Sequence, residues 1–217
     1  MVDRLVDDVV AEVLKIRSVS LGKHDGMIEP AALRRTDGSS VYTIAGSDLF
    51  TSARILAAEQ RLVASAGRTD GRTVDGAIVE LALLEQAANG ITLDAGQAAL
   101  VRSMSLSGAR LQLAIAPAGA GKTTALRALT RAWTDSGGTV LGLAPSAAAA
   151  AQLREQTGAL AETLAKLTWS IQHGDLPDWA LQIDRSTLVI IDEAGMADTL
   201  SLIPRWSSLC GAMAPSG

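Results

Sequence analysis

The segment Ala116-Pro117-Ala118-Gly119-Ala120-Gly121-Lys122-Thr123 has the residue types of a phosphate-binding loop, with Ala116 where the pattern would begin with glycine. Small side chains let backbone N–H groups close around phosphate oxygens, and a helix starting at Lys122 aims its positive end at them. On that reading Ala118, Gly119, Ala120, Gly121, Lys122, Thr123 and Thr124 form an ATP cradle. Lys122 reaches the terminal phosphates, and the Thr123 hydroxyl is a ligand for Mg²⁺. An alanine-rich chain, with 38 alanines in 217 residues, can produce such a match by composition alone. A second feature argues against that alternative. The apolar run Leu188-Val189-Ile190-Ile191 leads straight into Asp192-Glu193-Ala194-Gly195-Met196. A carboxylate at the end of a buried strand can hold the water shell of Mg²⁺ (Asp192), and its neighbour can polarise an attacking water (Glu193).

These groups need a frame, and the sequence after residue 110 supplies the rhythm of one. Strands are expected at 111–115, 139–143 and 187–191, with helices at 122–133 and 146–156 between them. Such alternation predicts a parallel sheet covered by helices, an α/β fold of the P-loop NTPase kind. Ahead of it, apolar spacing predicts helices over 5–16, from Thr51 or Ser52 to the Gly67 region, over 74–89 and over 93–104. Val41 to Ile44 reads as β-like. The expected organisation is an accessory segment 1–50, a helical lead-in 51–109, the NTPase region 110–200 and a tail 201–217 of different character. Trp133, Trp169 and Trp179 read as packing or loop aromatics, and His173 as part of a Gly-containing turn.

Charge and composition narrow the function. There are 19 Lys+Arg against 23 Asp+Glu, a net charge of −4, which argues against binding driven by electrostatics to nucleic acid or a membrane surface. One cysteine, Cys210, excludes an internal disulfide framework and a cysteine-based zinc site. The acidic, interrupted start is no signal peptide, and no apolar run approaches a membrane span, so a cytoplasmic chain is expected.

Several segments together resemble superfamily 1 helicases of the RecD-like branch. Asp192 to Met196 is similar to their motif II, Val140-Leu141-Gly142-Leu143-Ala144-Pro145-Ser146-Ala147-Ala148 to motif Ia, and Leu93 to Gln97 to the glutamine element ahead of the phosphate loop. The stretch from Thr51 through Ala118, with Leu111-Gln112-Leu113-Ala114-Ile115-Ala116-Pro117-Ala118-Gly119, resembles the helicase part of MobF-type conjugative relaxases, the TrwC/TraA class. The resemblance spans about residues 40–200. It implies a first RecA-like lobe in which Gln97 contacts adenine, Lys122 and Thr123 the triphosphate and metal, and Asp192 and Glu193 the metal and water. Pro145 and Ser146 would then face single-stranded DNA. The residues alone also allow Gln97 as an exposed helix residue, and Pro145-Ser146 as an ordinary turn with Ser146 as a helix cap. A RecD-like repair or recombination helicase, or a non-catalytic remnant of a disrupted gene, are the alternatives.

The departures carry expectations too. The nuclease module of that class uses a histidine cluster and catalytic tyrosines, whereas only His24, His173 and Tyr42 occur here, far apart in sequence. The later helicase motifs and the second motor lobe are not found in these 217 residues. The strand after motif II, which in the resembled fold enters between the phosphate-loop strand and the motif II strand, has no apolar run to form it in Ser201 to Gly217. An Arg:Lys ratio of 15:4 suggests a GC-rich gene, in which a frame lost near Ile203 would account for the tail. Single-strand binding is expected to be weak, since no basic run with interleaved aromatics is visible. These 217 residues alone should neither unwind duplex DNA nor nick a transfer origin. A strand-displacement assay with ATP checks the first expectation, and ATP-dependent unwinding would overturn it.

Overall fold

The computed structural model describes residues 2–21, 34, 49–115 and 121–202. The chain divides into two units, Met1–Gln60 and Arg61–Gly217. In the first, α1 (Val2–Arg17) bears a row of half-exposed valines, Val6, Val9, Val10 and Val13, and a short antiparallel pair joins β1 (Val19–Ser20) to β2 (Phe50–Thr51). The β-like stretch at 41–44 lies outside the described residues. The helix α2 (Ala53–Ala66) starts where the Ser52 hydroxyl accepts from the Ile55 N–H at 3.2 Å, and it runs across the unit boundary.

Caps of this kind explain where the next helices begin. Asp75 accepts from Ala77 N–H at the start of α3 (Gly76–Ala88), and Asp94 forms a capping box with Gln97 at the start of α4 (Ala95–Leu106). Both helices fall where apolar spacing placed them. After them come α5 (Lys122–Asp135), β3 (Thr139–Ala144), α6 (Ala147–Thr157), β4 (Leu160–Thr163), α7 (Leu164–His173), the single turn α8 (Asp178–Leu181) and β5 (Thr187–Ile191). Ser146 caps α6 and Thr163 caps α7.

The three strands form a parallel sheet in the order β4-β3-β5, with Leu143 paired to Glu162 on one side and to Ile191 on the other. Strand alternation sends Val140 and Leu188 to one face, where they meet the core of Val79, Ala82, Leu83, Val101, Ala125, Ala128, Leu129 and Trp133 shared by α3, α4 and α5. Leu141, Leu143, Val189 and Ile191 face the other way, onto Leu164, Leu167, Ala180 and Ile183. The fold is therefore α/β, a small parallel sheet flanked by helices, as the alternation implied.

One expected strand is not there. Leu111 to Ile115 runs without strand pairing, with Leu113 78% and Ile115 94% exposed. The reason is the missing neighbour: β5 ends the sheet on one side, and no described strand lies between it and this segment. Because Asp192 N–H donates to Leu143 O at 3.0 Å, alternation turns the backbone groups of Val189 and Ile191 to the open edge. The tail at 203–217 lies outside the described residues. Of the aromatics, Trp133 packs as expected, 5% exposed, its indole N–H donating to Ser186 O at 2.8 Å. Trp169 does not: it is 54% exposed, because α7 buries Leu164 and Leu167 on its opposite side.

Ahead of the missing strand, the chain 68–74 is strapped to 105–110 by Gly71 N–H to Gly108 O, Val74 N–H to Ser105 O and Arg110 N–H to Arg68 O. Asp70 accepts from both Arg68 and Arg110, and their paired hydrogen bonds hold its carboxyl far below the usual carboxylate range. Its contribution is complete above the ordinary aspartate range and is lost only as pH falls through that depressed value.

The sheet itself has no slack at its centre. A Cβ on Gly142 of β3 would lie 2.7 Å from Leu153 Cδ2 and 2.9 Å from Ala161 Cβ. Gly142→Ala should destabilise the second unit by about 1–3 kcal/mol, the usual cost of overpacking, measured as a lower midpoint in urea unfolding.

Candidate functional site

The site is built on the start of α5. Its 14 residues span about 21 Å and the six of β3 about 20 Å, and a three-residue turn, 136–138, joins them. The helix thus runs back along the strand, bringing Lys122 toward the carboxyl end of β3. At that end stand Pro145 and Ser146, and beside them Asp192 and Glu193, since β5 pairs with β3 up to Leu143–Ile191. Carboxyl ends of parallel strands are where ligands bind in open α/β sheets.

Unlike α3, α4, α6 and α7, α5 has no side chain capping its first N–H groups among the described residues. Its N-cap, Gly121, sits in the left-handed region at φ 68. A Cβ there would lie 2.2 Å from Gln97 Nε2, so glycine is required twice over, by conformation and by the approach of Gln97. Gln97 is held for this contact. Its N–H donates to Asp94 Oδ1 at 2.8 Å, and its Oε1 accepts from Asp94 N–H at 3.0 Å. Packing of Val101 on α4 in one core with Ala125, Ala128 and Leu129 on α5 fixes the two helices against each other. Lys122 is exposed, Thr123 and Thr124 half-buried. Ala118, Gly119 and Ala120 lie outside the described residues.

Asp192 is half-buried; its Oδ1 accepts from Glu193 N–H at 3.0 Å, and Oδ2 makes no protein hydrogen bond among the described residues. Glu193, at φ 51, is the one residue other than glycine with positive φ among the described residues. Such strain concentrates at functional turns. The loop then closes through a 3-10 turn, Ala194–Met196. Downstream, Asp198 is lowered from its ordinary value, first by the Ser201 hydroxyl and also by backbone N–H groups. The Ser146 hydroxyl accepts from Ala149 N–H at 3.1 Å, so it serves as a helix cap.

The arrangement fits a nucleotide in two respects: an uncapped helix terminus offers N–H groups to phosphate, and a carboxamide stands next to it. No group of three or more His, Cys, Asp or Glu able to hold a metal ion occurs among the described residues. Mg²⁺ bound through phosphates needs only one or two carboxylates. Sequence reading located Gln97 but not its contact with Gly121. It also missed the Asp70 strap that precedes the loop, since Arg68, Asp70 and Arg110 look like scattered surface charges.

Residues 92–204 match the model of the AAA domain family. Over 90 residues the chain is 34% identical to "Probable conjugal transfer protein TraA" of Sinorhizobium fredii (strain NBRC 101917 / NGR234). That match covers 42% of this chain and 8% of the relative's length. No helix among the described residues is long and apolar enough to cross a membrane.

The Gln97–Gly121 contact is open to direct test. Gly121→Ala should push the carboxamide away and cost about 1–2 kcal/mol for the left-handed alanine. Titration with a fluorescent ATP analogue should show at least about tenfold weaker binding, with thermal unfolding recorded in parallel.

Proposed function

Because the chain belongs to the AAA domain family, of the RecD-like helicase type, we propose that it forms the ATP-binding first lobe of a superfamily 1 DNA helicase acting in conjugative DNA transfer. The observation that carries this reading is the Gln97 carboxamide against Gly121 at the uncapped start of α5. In this role Gln97 selects adenine, and Ala118 to Thr124 cradle the triphosphate. Lys122 neutralises the terminal phosphates, and Thr123 and Asp192 hold Mg²⁺. Glu193 orients and polarises the attacking water. ATP and Mg²⁺ supply a phosphoryl group whose transfer needs positioning and charge compensation more than covalent chemistry. Pro145 and Ser146 face single-stranded DNA across the carboxyl end of β3. The likeness to a protein named for conjugal transfer supports the transfer context over a repair role.

A second reading, a lobe that binds nucleotide poorly and does not turn it over, is favoured by one observation. Among the described residues, Leu111 to Ile115, which leads into the phosphate loop, has no ladder partner, and β5 has an open edge. A sheet that lacks this ladder buries less of its backbone and apolar surface, against a net stability of only about 5–15 kcal/mol. A broad, weakly cooperative thermal transition with little ATP turnover is the outcome for that reading. A sharp transition with robust turnover refutes it.

The first reading is tested at Lys122. Lys122→Ala removes charge-assisted contacts worth about 1.5–3 kcal/mol each, so a fluorescent ATP analogue should bind at least about tenfold more weakly, with chelation of Mg²⁺ weakening the wild type. Equal affinity for the two proteins would sink the assignment. Unchanged plasmid transfer from cells carrying only the variant would remove the conjugative part.

A further inference from the structure

We propose that the face of α7 formed by Lys166, Trp169 and His173 is a stacking platform for single-stranded nucleic acid. This rests on the helicase-type reading above and adds a contact surface apart from the nucleotide site. The three residues stand at i, i+3 and i+7, so they share one side of the helix. The opposite side is anchored: Leu164 and Leu167 are buried with Leu141 and Leu143 of β3. Anything bound to the outer side therefore meets a rigid element.

Trp169 is 54% exposed and forms part of a built surface. The His173 imidazole stacks on its indole with ring centroids 4.2 Å apart and planes 21° from parallel. His173 Nδ1 lies 2.8 Å from Trp169 O. A carbonyl can only accept, so Nδ1 carries the hydrogen and donates, and the ring is locked in the stack. The result is a stacked indole–imidazole pair with about half of the tryptophan in solvent, a unit on which a nucleobase can stack.

One cation stands on this face, Lys166, with the carboxylates of Glu162, Asp175 and Asp178 on the flanking segments. Lys166 pairs with Glu162 at 3.1 Å, but its side chain is 50% exposed and that of Glu162 only 21%. Its ammonium also stands 5.8 Å from the Trp179 ring centroid. Along α7 a cation is thus followed by an aromatic pair, with the half-buried Trp179 ring of α8 beside the cation. The other outward residues, Ala165 and Gln172, give little apolar area for a protein partner. Position agrees as well. Thr163, the cap of α7, is paired with Ala144, so the first turn of α7 lies beside Pro145 and Ser146. A strand crossing those residues can continue along Lys166 and Trp169. The net charge of −4 keeps the affinity modest and salt-sensitive.

The test uses the full chain with fluorescein-labelled oligo-dT and oligo-U, followed by anisotropy and by quenching of tryptophan emission. Wild type should bind both, because stacking does not read the sugar, and a clear preference for one identifies the polymer. Trp169→Ala should bind about tenfold more weakly and lose most of the quenching, whereas Trp169→Phe should bind like wild type. Lys166→Gln should lower the salt slope by about one. Circular dichroism confirms that each variant is folded. Equal binding by Trp169→Ala, or no binding by wild type at about 0.1 mM, overturns the platform. Nucleotide titration of the same samples separates the two ideas. Intact nucleotide binding without oligonucleotide binding removes the platform alone. Trp169-dependent oligonucleotide binding without nucleotide binding removes the ATPase reading alone.

Discussion

Packing of α5 into one core with the lead-in helices and the sheet governs the geometry at the carboxyl end of the sheet. One side of the helix joins Val79 and Val101 in the core of the lead-in helices, and Val140 and Leu188 from the sheet close on the same cluster. Burial of this kind contributes about 25 cal/mol per Å² of apolar surface, and it fixes both the axial position and the rotation of α5. The rotation matters because the first turn of α5 carries Lys122, Thr123 and Thr124. The alanines Ala125, Ala128 and Ala132 let the neighbours approach closely, which is how Gln97 reaches Gly121 with no room for a Cβ between them.

A second constraint works against the first. Parallel strands are stable when both edges are paired and both faces covered, and β3 meets both conditions. Among the described residues β5 is covered on its faces but open along one edge, and it is apolar from Leu188 to Ile191 with no charge or proline within that run. No described strand pairs with that edge, and Leu113 and Ile115 lie in solvent. One unmade ladder thus accounts for two anomalies, an edge too apolar for water and a strand-like segment outside the sheet.

Strain and exposure are distributed unevenly. Glu193 adopts the left-handed region just after β5, where Asp192 turns the chain and accepts from its N–H. On α7 an indole and an imidazole stay in solvent although the other side of the helix is well buried. Neither feature is explained by burial of apolar surface, and strained or exposed groups of this kind are where ligand contacts are sought.

The amino-acid sequence by itself determined whatever depends on near neighbours. Asp75, Asp94, Ser146 and Thr163 start helices because their side chains reach N–H groups two or three residues on. An unbroken apolar run makes β5 legible, alternation with helices makes β3 so, and the spacing of Gly121, Lys122, Thr123, Asp192 and Glu193 points to nucleotide chemistry. Tertiary structure alone decided the rest. Leu111 to Ile115 has the composition of a strand, but a strand exists only with a partner, and that partner is set by residues far away in sequence. Whether Trp169 is core or surface depended on which side of α7 the sheet took. Gln97 meets Gly121, and Asp70 meets Arg110, only because helices and straps 24 and 40 residues apart in sequence are packed together. Local rules act over a turn of helix or a pair of strand residues, whereas these contacts are paid for by burial of the whole core.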